Sequence, residues 1–165
     1  MKTLKATVPK KADEAKPDFR VLLGDREQMI VDLHKMAVET VCDHRAKLGF
    51  GASGRLDKLL TLAKTQPFDL AILSAHNIWG CADTSKQHLT EVIEALPQFR
   101  ARISGPLLLL CEYPLDAPAL ETVLATGARC VDYAESVREI AQTTDVALER
   151  KLATATPADS PAPTS

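Results

Sequence analysis

A chain of 165 residues with 45% apolar composition can bury one hydrophobic core, and its length gives no reason to expect a second domain. Its formal charge of -2 lacks the broad positive field of a general nucleic-acid binder. Apolar runs no longer than PLLLLC predict no membrane span, the lysine-rich start predicts no secretory leader, and the expected location is the cytoplasm.

The first segment, residues 1–18, is rich in lysine, alanine and proline and is expected to be a solvated tail. FRVLLGD (19–25) then predicts a short strand closing on Gly24 and Asp25. A helix follows, with Met29, Ile30, Leu33, Met36, Ala37 and Val41 at helical spacing and Asp25 with Gln28 as its capping box. That stripe turns Leu33 and Met36 to the core and leaves His34 on the surface.

KLGFGAS (47–53) predicts a weak strand, and Leu56, Leu59, Leu60 and Ala63 give the next helix its apolar face. FDLAILS (68–74) is a third strand. Thr84 and Gln87 box the start of a helix carrying Leu89, Val92, Ile93 and Leu96, which Pro97 is expected to end. GPLLLLCEY (105–113) is so continuously apolar that both its faces must be covered, as in a parallel sheet. Asp116 and Pro118 open a helix that stops at Gly127. RCVDYA (129–134) is a fifth strand, and Ser136 with Glu139 boxes a last helix. The ordered domain is expected over 19–150, with 151–165 a proline-, alanine-, serine- and threonine-rich tail and no output domain after it. Five strand-helix units predict a single doubly wound α/β fold, a five-stranded parallel sheet with helices on both faces.

In such sheets ligands gather at the carboxyl ends of the strands, so the residues to inspect are Asp25 and Arg26, Ser74 to Trp79, Cys111 to Tyr113, and Ala134 with Glu135. GFGASG (49–54) has the bare GxGxxG spacing. It lacks the lysine of a P-loop and any acid ending a strand about twenty residues on, so a tight turn entering a helix is the preferred reading. Ser74 stands in ILSAHNI and not in the GxSxG of a nucleophile elbow, which argues against a hydrolase. Cys42, Cys81, Cys111 and Cys130 form no CxxC pair, so neither a metal site nor a redox motif is expected. DLHKMA (32–37) lacks the last glycine of a cobalamin-type DxHxxG, and no cofactor is expected. His76, Asn77 and Trp79 make the loop after the third strand a candidate small-molecule or partner loop. Trp79 is either its stacking wall or a cover over the sheet edge.

From residue 19 to about 148 the order of segments resembles the receiver domain of bacterial two-component response regulators, a flavodoxin-like fold. FRVLLGDRE, GFGASGRLDKLLTLAKTQPFDLAILS, GPLLLLCEYP and ATGARCVDYAES fall where that family has its strands. In the family, two acids after the first strand hold Mg²⁺, an aspartate after the third takes the phosphoryl group, a serine or threonine ends the fourth, and a lysine ends the fifth.

The resemblance places Asp25 with Arg26 at the acid pair, Ser74 at the phosphoacceptor, Cys111 at the hydroxyl and Ala134 at the lysine. Only Asp25 is kept. Removing two acids and adding Arg26 removes most of the attraction for Mg²⁺, and an unactivated serine is a poor nucleophile. The implied protein is a stand-alone, degenerate pseudo-receiver of phosphorelay signalling. It would not be an enzyme and would act by binding a signalling protein or a second copy of itself. In the family the docking surface is commonly the fourth helix, fifth strand and fifth helix, here about 117–150, where Tyr133 is either the contact aromatic or half-buried filler.

Overall fold

Two uninterrupted runs, LAILS and LLLLC, are buried at every position and form the centre of a parallel sheet, since each face of each strand must be covered. The computed structural model describes residue 16 and residues 18–155. Within them β1 (Asp18–Gly24), β2 (Lys47–Ser53), β3 (Leu70–Ser74), β4 (Leu107–Cys111) and β5 (Arg129–Asp132) alternate with five helices. The helices are α1 (Gln28–Cys42), α2 (Leu56–Thr65), α3 (Ser85–Arg102), α4 (Ala117–Ala125) and α5 (Ser136–Ala155), the last entered through a 3-10 turn at Tyr133–Glu135. The strand order is β2-β1-β3-β4-β5, all parallel, so the chain reverses its direction of winding after β2, between β1 and β3. The doubly wound α/β fold expected from the sequence is present.

Alternation along the strands divides the core into two layers. Leu22, Ala71, Leu73, Leu107 and Leu109 pack against α2, α3 and α4, whereas Val21, Leu23, Leu70, Ile72, Leu108 and Leu110 pack against α1 and α5. Gly51 leaves room for the Phe68 ring, whose Cζ lies 2.7 Å from where a Cβ would stand, and Gly54 does the same for the backbone of Arg26 at 2.5 Å. These two glycines of GFGASG thus serve close packing around β2. Lys151 on α5 binds both carboxylate oxygens of Asp69, whose Oδ2 also accepts from the Arg20 N–H, tying the last helix to the start of β3.

Several expectations are corrected. α1 buries Val31, His34, Ala37, Val38 and Cys42, while Met29 is 80% and Met36 62% exposed, so His34 is a core residue and the methionines face outward. Both stripes have helical spacing, and the one that faces α5 and the sheet wins. Pro97 lies inside α3, which continues to Arg102 because Phe99 and Ile103 beyond it are core residues. Asp25 and Gln28 make no capping box, since the N-cap of α1 is Glu27 and it accepts no side-chain bond. Nor does Ser136 cap α5: it closes the 3-10 turn, and Glu139 pairs with Arg129 instead. Thr84 caps α3 by accepting from the Gln87 N–H, and Asp116 caps α4 by accepting from the Ala119 N–H. Of the expected tails, residues 1–15, 17 and 156–165 lie outside the described residues, while Asp18 opens β1 and α5 runs on through residues 151–155. Among the described residues no helix is long and apolar enough to cross a membrane.

Candidate functional site

At the carboxyl edge of the sheet, the chain leaving β3 does not run straight into α3. Asn77 turns back on Ser74 through an N–H to carbonyl bond of 3.1 Å, and its own carbonyl accepts from the Arg26 N–H at 2.8 Å. Two residues on, the Trp79 N–H donates to Gly54 O at 2.7 Å and Trp79 O accepts from the Leu56 N–H at 2.8 Å. The loop therefore crosses the end of β1 and is stitched to the chain leaving β2. Gly24 permits this: a Cβ there would lie 2.9 Å from Ile78 Cδ1, so the missing side chain lets Ile78 sink into the core. The guanidinium of Arg26 stacks 4.8 Å from the centre of the Trp79 ring, and His88 meets the same ring edge-on.

Beneath this seam Asp25 and Ser74 are 3% and 2% exposed. Asp25 Oδ1 accepts from the Glu27 N–H at 2.8 Å, whereas Asp25 Oδ2 and Ser74 Oγ each lack a partner of regular hydrogen-bond geometry. Burial raises the Asp25 pKa, and Ser74, the Glu27 N–H, Asn77 and Arg26 pull the other way without overcoming it.

Beside the seam lies an open cleft of about 770 Å³. Arg26 and Glu27 come to it from the turn into α1, His76 and Asn77 from the β3 exit, Lys86 from the first turn of α3, Glu112 and Tyr113 from the β4 exit, and Tyr133 from the 3-10 turn after β5. His76 accepts the Glu112 N–H on Nδ1, which suits the neutral ring. Burial holds its pKa below the usual histidine value against the opposing pull of Glu112. Its ring stands edge-on to Tyr113 with centroids 5.4 Å apart. Tyr133 is half-buried, and burial, followed by the charges of Asp25, Glu27 and Glu112, raises the pKa of its hydroxyl.

No protein-family model matches the sequence, and no curated protein matches it by sequence. Comparison of structures does find neighbours. A signal receiver domain of a histidine kinase from Clostridium thermocellum matches with a TM-score of 0.57 at 13% identity over 79% of this chain and 98% of that one. A response regulator receiver domain from Francisella matches at 0.56 and 18% identity, over 80% and 98% of the two chains. A response regulator from Hahella chejuensis matches at 0.52 and 21% identity, over 81% and 95%. The chain has the receiver fold.

Around the working edge of the receiver fold the five sequence-selected positions separate. Asp25 and Ser74 lie together under the seam, and Arg26 stands over it against Trp79. Cys111 does not join them. It sits in the layer packed against α2, α3 and α4, its Sγ 3.8 Å from Leu109 O, and burial beside Cys130 and Asp132 pushes its thiol up to about 12. Glu112, one residue on, lines the cleft in its place. Ala134 is exposed in the 3-10 turn, because β5 stops at Asp132 and the count from Gly127 runs past the strand end; Tyr133 takes the inward place. Tyr133 is thus part of the cleft.

Of the loop residues, His76 and Asn77 line the cleft, but Trp79 does not; it covers the sheet edge, the plainer of its two expected roles. Glu27 and Lys86 were not anticipated. Glu27 lies three residues past the end of β1, within reach of the strand-exit rule, but Lys86 needed the path of the β3–α3 loop to be known. Among the described residues no group of three or more histidine, cysteine and acidic side chains is placed to hold a metal ion.

Proposed function

We propose that the chain is a receiver-fold signalling module that takes no phosphoryl group at the β3 exit and acts by binding a protein. The observation that carries this is the closed seam. Ser74 stands where the resemblance puts the phosphoacceptor, but it is 2% exposed beneath a loop hydrogen-bonded at both Asn77 and Trp79. A phosphoryl donor would need an in-line path to Ser74 Oγ, and that oxygen is buried.

The neighbouring carboxylate could in principle serve as a base, yet burial has raised its pKa, so it holds its proton more readily than a free aspartate. Mg²⁺ does not fit here either. It takes several oxygen ligands, and Asp25 offers one buried carboxylate with the Arg26 cation next to it. What is left of the receiver function is its surface: Leu120 and Leu124 on α4 and Val137 on α5 are exposed apolar residues of the kind a partner covers.

The test is an amide NMR titration of the folded chain with Mg²⁺ and beryllofluoride, with acetyl phosphate treatment followed by mass spectrometry. A flat spectrum and no added phosphate are expected. Saturable shifts at Asp25 and Ser74, or phosphoserine at Ser74, would overturn the proposal. A second reading, a small ligand in the open cleft, is favoured by the convergence of His76, Tyr113 and Tyr133 with Arg26 and Lys86. It predicts saturable shifts at those five residues with a small-molecule library and none at Leu120 and Leu124.

A further inference from the structure

At the opposite, amino-terminal edge of the sheet a second pocket of about 620 Å³ opens beneath β4 and β5, between the end of α3 and the middle of α5. Its charge is one-sided. Arg100, Arg129 and Arg150 line it, and no acidic residue does. Arg129 is paired with Glu139 on α5. Arg100 is fixed by Nη2, which donates to Ile103 O at 2.7 Å and Gly105 O at 2.5 Å. Those acceptors are neutral carbonyls, so the bonds orient the guanidinium and cover the carbonyl end of α3 without cancelling its charge. Arg150 makes no ion pair with any described residue. Two uncompensated guanidinium groups therefore border one cavity.

Two further features point to a ligand. Thr143 in the pocket wall is more than nine-tenths buried, and its hydroxyl has no hydrogen-bond partner, an arrangement that folded proteins rarely leave unfilled. Pro106, Leu107 and the half-exposed Val146 give the pocket an apolar side, which suits the carbon framework of a ligand better than a bare inorganic ion.

We propose that this pocket binds an organic phosphate of nucleotide size, with its phosphate oxygens between Arg100 and Arg150 and its carbon part against Pro106 and Val146. Guanidinium groups match phosphate geometry with paired N–H donors and keep their charge at every accessible pH. The site is independent of the proposed function, since it lies at the other end of the strands from Ser74.

The experiment is a calorimetric and amide NMR titration of the intact chain with a nucleoside diphosphate, with pyrophosphate and with the uncharged nucleoside, at physiological salt. The diphosphate is expected to give saturable shifts confined to residues 104–108 and 142–150, pyrophosphate to bind more weakly, and the nucleoside not at all. Arg150→Gln, at an exposed position, should weaken the diphosphate by roughly tenfold or more, the loss of one charge-assisted contact, without moving the melting temperature. Val146→Glu, which places an acid at the mouth, should weaken it at least as much. Binding of the nucleoside as tight as that of the diphosphate would overturn the proposal. So would shifts at the carboxyl edge instead, or unchanged affinity in both variants.

Discussion

His34 offers the sharpest test of the packing. It is 1% exposed on the inner face of α1, its Nε2 has no partner, and burial lowers its pKa from 6.5 to about 4. A base with a depressed folded-state pKa is protonated first in the unfolded chain, so stability is fully present above pH 6.5 and is lost as pH falls toward 4. Over that window the linkage amounts to roughly 3 kcal/mol, of which about 2.5 should be gone by pH 4.5.

The variant His34→Leu keeps an apolar body and removes the titration. At pH 7 it should match or exceed the wild type, by up to about 1 kcal/mol, because the unpartnered Nε2 is gone. Urea unfolding of both proteins from pH 7.5 to 4.5 isolates the effect, since His76, whose lowered pKa acts with the same sign, is present in each and cancels in the difference. Wild type and variant curves that stay parallel through the window, or an imidazole at residue 34 that titrates near 6.5 by NMR, would refute the reasoning.

Asp25 titrates with the opposite consequence: its carboxyl pKa is raised, so the folded state loses stability as pH rises through that value. Asp25→Asn should therefore melt higher than wild type at pH 7, with the gain shrinking in acid, and a lower melting temperature at pH 7 would contradict the burial argument. Gly54→Ala would drive a Cβ to 2.5 Å from Arg26 Cα, and should cost about 1–3 kcal/mol while speeding amide exchange at Arg26 and Trp79; an unperturbed seam in that variant would count against the close approach. Asp116→Ala removes the side-chain cap of α4 and should cost about 1 kcal/mol in denaturant unfolding, with no change at the seam.

The sheet was legible because β3 is apolar up to its last residue, Ser74, and β4 is apolar throughout, a pattern that allows little except a covered parallel strand. The cap residues Thr84 and Asp116 were legible for a similar reason, since their side-chain bonds are local. The face of α1 was not. Met29, Leu33 and Met36 outweigh Val31, His34 and Val38 on any scale of apolarity, and only the position of α5 decides which stripe is buried.

That Ala134 falls past the strand end was not legible, because counting from Gly127 assumes a strand length and β5 is only four residues long. Asp25 and Ser74 were found by the strand-exit rule, but their closure was hidden. It depends on a glycine at 24, a glycine at 54 and a loop that returns across the sheet, none of which leaves a periodic trace.

That returning loop also carries the chain's single tryptophan. Trp79 is held between the Arg26 cation and the His88 ring, and its own backbone makes the bonds that join the loop to the end of β2. Its emission is thus an intrinsic gauge of the distance between two segments, with no label required. A ligand or partner that pries the loop up would move the indole from a cationic, half-dry setting into water and shift its spectrum. One bound at α4 or under β4 would leave the spectrum where it was.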